Sequence, residues 1–134
     1  MARRYEQAEV LVALWALGSQ RDMMPTSHGI LDRALEAMRP RLPGPLAELT
    51  FGATSVGLRS FELPDILLAA QEAMLTSEPN PTYLSTMVTI SPDQAAEIVV
   101  EHGLGVDQAR SLGQELHEKV RAFKDRRWQS RAVA

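Results

Sequence analysis

Arg4-Tyr5-Glu6-Gln7-Ala8-Glu9-Val10-Leu11-Val12-Ala13-Leu14-Trp15-Ala16-Leu17 reads as a helix with almost no polar face in its second half. Val10, Leu11, Leu14, Trp15 and Leu17, with Ala8, Val12, Ala13 and Ala16, cover nearly the whole circumference. A helix apolar on all sides has to be enclosed, inside a bundle or at a dimer interface. Gly18 and Ser19 end it. The expected fold is therefore mainly α.

The remaining elements are shorter and amphipathic. Residues 23–27 read as a connector, with Thr26 or Ser27 placed to cap the next helix. That helix carries Ile30, Leu31, Ala34, Leu35 and Met38 on one stripe and Asp32, Arg33 and Glu36 on the other face. Pro40, Pro43 and Pro45 then stop helix formation. Residues 49–51 and 56–61, with loose alternation, suit two short strands around a turn at Gly52-Ala53-Thr54-Ser55. Leu63-Pro64-Asp65 opens a helix striped by Ile66, Leu67, Ala70 and Met74 that ends near Thr76 and Ser77. Residues 83–90 are rich in β-branched side chains and suit a strand, while Asn80-Pro81 could equally cap a short helix there.

Ser91-Pro92-Asp93-Gln94 is the sharpest local signal. Ser at the N-cap, Pro at N1 and Gln at N3 make a capping box, and Gly103 supplies the left-handed residue at the far end. Asp107 is expected to cap the last helix, whose stripe is Ala109, Leu112, Leu116, Val120 and Phe123. The whole reading is one helical domain over residues 1–134. It is a compact bundle of about five helices with a small β-hairpin or strand pair in residues 49–61 and 83–90. Residues 124–134 form a basic tail.

Charge is sorted along the chain. Residues 1–44 are near neutral. Residues 45–118 hold eleven acids against Arg59 and Arg110, and residues 119–134 hold six bases against Asp125. The chain has no Cys, which removes thiolate catalysis, Cys-based zinc sites and disulfides, and fits a cytoplasmic protein. The apolar run from Val10 to Leu17 is shorter than the roughly 20 residues that span a bilayer. No membrane association is expected.

No motif for catalysis, a cofactor or a metal stands out. His28, His102 and His117 lack the spacing of a zinc helix, and residues 52–57 have neither P-loop nor dinucleotide spacing. No nucleophile elbow accompanies them. Residues 93–118 have the outline of a helix-turn-helix. Its second helix nevertheless begins Asp107-Gln108-Ala109-Arg110-Ser111 and continues through Glu115 and Glu118, which repel phosphate. The basic tail, from Lys124 on, is better suited to an anion, because Arg126, Arg127 and Arg131 flank Trp128. A nucleic-acid function would need that tail joined to Arg3, Arg4 and Arg39 or Arg41 in one positive face. The expected function is non-enzymatic: a small interaction or assembly protein that self-associates, with or without another protein partner. Its candidate contacts are Leu11, Leu14 and Trp15 on the first helix and Lys124, Arg126, Arg127, Trp128 and Arg131 on the tail. A nucleic-acid-associated regulator is the disfavoured alternative.

Overall fold

The computed structural model describes residues 2–19, 23–26, 29–77 and 85–133, the side chains of residues 2 and 125–133 excepted. Its elements run α1 (Ala2–Gly18), β1 (Met23–Pro25), α2 (Ile30–Ala37), two 3-10 turns (Arg39–Arg41 and Gly44–Glu48), β2 (Phe51–Thr54) and β3 (Gly57–Ser60). They continue as α3 (Leu63–Glu72), β4 (Thr76–Ser77), β5 (Ser85–Val88), α4 (Pro92–Glu101) and α5 (Val106–Val133). The described residues thus form five α-helices and two small antiparallel sheets, the mainly α fold expected.

α1 is the axis of the fold. It packs against α3, α4, α5 and the second 3-10 turn. Leu11 and Leu14 are fully buried and Trp15 is 2% exposed. The apolar circumference therefore finds its cover within the chain, and an interface through Leu11, Leu14 and Trp15 loses its basis. That cover comes in large part from α5, which is 28 residues long, and from Leu46 and Leu49 at the second 3-10 turn. Near its start α1 also buries Gln7, whose Nε2 donates to Pro45 O at 3.1 Å. Tyr5 ties α1 to α3 through a 2.6 Å hydrogen bond from its hydroxyl to Glu72.

Residues 23–27, expected as a connector, contain the edge strand β1. It pairs with β5 in the register Met23↔Met87 and Pro25↔Ser85, in a sheet of order β1-β5-β4. Pro is tolerated there because an edge strand leaves one side of its backbone unpaired. A partner some sixty residues away leaves no local signal in the sequence. The second sheet is the hairpin β2–β3, in the register Phe51↔Ser60 and Thr54↔Gly57. Both regions expected to hold strands do, but β2 runs on through Gly52–Thr54 and the turn falls at Ser55-Val56 instead of residues 52–55.

Several boundaries differ. α2 starts after Gly29, which stands at the N-cap with φ 70° and offers no side-chain cap. Ser27 and His28 lie outside the described residues. Asp32, expected on the polar face of α2, is 6% exposed. Its Oδ2 accepts from Ser60 N at 2.8 Å and so fastens the hairpin to the helix.

α3 stops at Glu72, before the expected end. Met74 takes a left-handed φ of 64°, while Leu75 N donates to Ala70 O and Met74 N to Gln71 O. This is the two-bond Schellman stop. It turns Met74 out to 82% exposure, off the stripe expected for it, and releases Thr76 and Ser77 into β4. α4 begins with the expected capping box: Gln94 N donates to Ser91 Oγ at 3.1 Å, and Ser91 N donates to Gln94 Oε1 at 2.8 Å. Its end repeats the Schellman pattern with Gly103 at φ 78°. Asp107 does not cap α5. The helix starts at Val106, Ala109 N donates to Gly105 O, and Asp107 pairs with Arg110 at 3.1 Å in the first turn.

Candidate functional site

Two glycines set the geometry of the best-formed site. α1 and α5 cross so closely at Gly18 and Gly113 that a Cβ on Gly18 would lie 2.2 Å from the Gly113 carbonyl carbon. One on Gly113 would lie 2.0 Å from Leu14 O. The contact brings Trp15, one turn before Gly18, onto His117, one turn after Gly113. Their ring centroids are 3.6 Å apart with planes tilted by 32°.

His117 is 8% exposed, and its Nε2 lies 2.9 Å from Trp15 O. A carbonyl only accepts, so Nε2 carries the hydrogen and donates. The Trp15 indole Nε1 is buried with no hydrogen-bond partner among the described residues. A cavity of about 80 Å³ opens beside this pair. Met23, Pro25 and Val120 give it apolar walls, and Arg121 and Lys124 stand at it one helical turn apart on α5.

A second feature lies at the other end of α5. Ala96, Val100 and Val106 form a shallow apolar hollow where α4 meets the start of α5, with Glu97 and Glu101 beside them. Val100 is 59% exposed.

The candidate contacts from the sequence divide in two. Leu11, Leu14 and Trp15 are core residues, Trp15 also facing the small cavity. Lys124 is exposed on α5. The helix continues through Arg126, Arg127, Trp128 and Arg131, whose side chains lie outside the described residues.

The helix-turn-helix outline resolves into α4 and α5, but Ala109, Leu112, Leu116 and Val120 of α5 are buried. Its exposed side begins with Asp107 and reaches Glu118. Of the other cations, Arg4 lies 3.9 Å from Asp65. Arg3 pairs with Glu6 at 2.7 Å and also with Glu48, and Arg41 pairs with Glu115.

The Trp15–His117 pairing was not anticipated from the sequence. Gly113 inside a helical stripe was the available signal, since an interior glycine there costs about 1 kcal/mol against Ala and usually marks close packing. Among the described residues no group of three or more His, Asp or Glu is placed to hold a metal ion. No helix among them is long and apolar enough to cross a membrane. Comparison with models of protein families, with curated proteins and with solved structures finds no match to this chain.

Proposed function

We propose that this chain is a non-enzymatic interaction protein of the cytoplasm that associates with a second copy of itself through α5. The supporting observation is that two surfaces of opposite charge lie at the two ends of one helix. The acid-framed hollow of Ala96, Val100 and Val106 sits at its start. The basic run Lys119, Arg121, Lys124, Arg126, Arg127 and Arg131, with Trp128 among it, lies toward its end.

From Val106 to Lys124 the helix rises about 27 Å. Two copies with α5 antiparallel bring each basic end to the other's hollow, so both contacts form at once and the arrangement closes as a two-fold dimer. The hollow supplies apolar cover, and the opposite charges set the direction of pairing. Self-association through α1, expected from the sequence, has no part in this arrangement.

Sedimentation equilibrium across salt tests it. A dimer at low salt that dissociates as salt rises is expected. The charge reversals E97K/E101K and R126E/R127E/R131E should each be monomeric alone and pair when mixed. A wild-type chain that stays monomeric at high micromolar concentration in low salt overturns the proposal.

A further inference from the structure

We propose that the outer edge of β2 pairs antiparallel with β2 of a second copy of this chain, about a two-fold axis at Gly52. The hairpin is a two-stranded sheet, so each strand has one side without a neighbouring strand. Phe61 N donates to Thr50 O at 3.1 Å, and with the register Phe51↔Ser60 this fixes which way each backbone group faces. Thr50, Gly52 and Thr54 turn theirs toward β3, whereas Phe51 and Ala53 turn theirs outward. On β3 the outward residues are Leu58 and Ser60, and that side is engaged. Ser60 N donates to Asp32 Oδ2, and Leu58 O accepts from Arg59 Nη1 at 2.9 Å. On β2 the N–H and C=O groups of Phe51 and Ala53 have no partner among the described residues. Residues 49–58 hold no charged side chain, in a chain that is 23% charged. Native sheet edges are ordinarily guarded by charge or Pro, and β2 has neither.

The symmetric register is the argument for a second copy. With the axis at Gly52, Phe51 exchanges both backbone bonds with Ala53 of the other chain, and Ala53 does so with its Phe51. A large side chain thus stands opposite a small one. Thr50 stands opposite Thr54, a favourable cross-strand pair, and no like charges are opposed. The two Gly52 residues meet at the axis as a non-hydrogen-bonded pair, with Cα atoms about 4.5 Å apart. The Phe61 ring lies on Gly52, where a Cβ would be 2.5 Å from its Cζ, yet the residue is 61% exposed. Pairing sets the two Phe61 rings side by side over the axis, at a spacing where aromatic rings attract, and covers them. Because Asp32 and Arg59 occupy the far side of β3, pairing stops at two copies. β2 is four residues long, so the interface is small and its Kd is on the order of 1 mM.

The contact does not involve α5 and joins uncharged strands, so salt leaves it intact. Nuclear magnetic resonance of the ¹⁵N-labelled full chain tests it, at a salt concentration where sedimentation at micromolar concentration shows monomer. Either proposal can then fail without the other. Between about 0.1 and 2 mM chain, the Phe51 and Ala53 amide signals should move with concentration, and those of Leu58 and Ser60 far less. A mixture of ¹³C-labelled and unlabelled chains should show a through-space contact between Gly52 of one copy and Gly52 of the other. Ala53→Pro removes an outward N–H and no bond to β3. It should keep the thermal melt and weaken association by roughly tenfold or more. Phe51 and Ala53 signals that do not move with concentration overturn the proposal. So does concentration dependence without the Gly52 contact, which would put the interface elsewhere, and so does unchanged association in a folded Ala53→Pro chain. A short peptide of alternating Thr and Val that shifts these signals where the chain's own copies do not would assign the edge to a different partner, and overturns it too.

Discussion

Gly18 and Gly113 touch backbone to backbone, and the contact is what lets α5 lie against the central helix. In an isolated helix, Gly113→Ala would gain about 1 kcal/mol from propensity. Here the added methyl meets Leu14 O at 2.0 Å, and forcing two helices apart costs about 1–3 kcal/mol or more. Sterics win. The variant should lose about 2 kcal/mol net and melt roughly 5–10 °C lower, as followed by circular dichroism.

Met74 and Gly103 occupy the same position in two Schellman stops, one with a side chain and one without. A left-handed φ costs a non-glycine residue about 1–2 kcal/mol. Met74 is 82% exposed, so it returns little packing. Met74→Gly should therefore stabilise the chain by up to about 1 kcal/mol, and Gly103→Val should destabilise it by more than that. Paired denaturant melts with unchanged slopes would check both.

Ser91→Ala removes the acceptor for Gln94 N. The expected loss is about 1 kcal/mol, measurable as a lower urea midpoint. Ser91→Asp should recover most of it, because a carboxylate caps as well and favours the helix start.

Asp32 is the buried fastening of the β2–β3 hairpin. Asp32→Ala leaves Ser60 N without its acceptor in a buried place, at a cost of about 1–3 kcal/mol. Hydrogen exchange should show the hairpin amides losing protection before those of α1 and α5.

Burial pulls the Glu62 carboxyl upward, but hydrogen bonds from the Thr50 hydroxyl and N–H, from its own backbone N–H and from the Ser60 hydroxyl outweigh it. They hold the group below the ordinary carboxylate range. A carboxyl depressed in the folded state contributes stability above its unfolded pKa and loses it as pH falls through the folded one. Stability should thus fall on acidification below the ordinary carboxylate range. Glu62→Gln should flatten that part of the profile in urea melts taken across acid pH.

Local chemistry made much of this fold legible. The capping box at Ser91, the stop at Gly103 and the stripe from Ala109 to Val120 are each written in a few adjacent residues. The helix of residues 4–17 was legible as buried, but not by what. Its cover depends on the length of α5 and on two glycines far apart in the chain. β1 and β4 escaped notice because β5 supplies their pairing across the sequence. The stop of α3 at Met74 escaped because methionine is the wrong residue type for a left-handed position. The Trp15–His117 cavity was hidden for the same reason as β1, since its parts meet only once the helices cross.

The central position of α1 also has a consequence in time. Gly18 leaves the ribosome long before Gly113. At about 5–20 residues per second, the 94 intervening positions take on the order of 5–20 s to synthesise. Throughout that interval the most apolar segment of the chain is already made, while the helix that seals it does not yet exist. Closure of the core must then join segments about 95 residues apart, a contact of high order that forms slowly. The nascent chain therefore depends on whatever shelters that first helix until its last neighbour arrives.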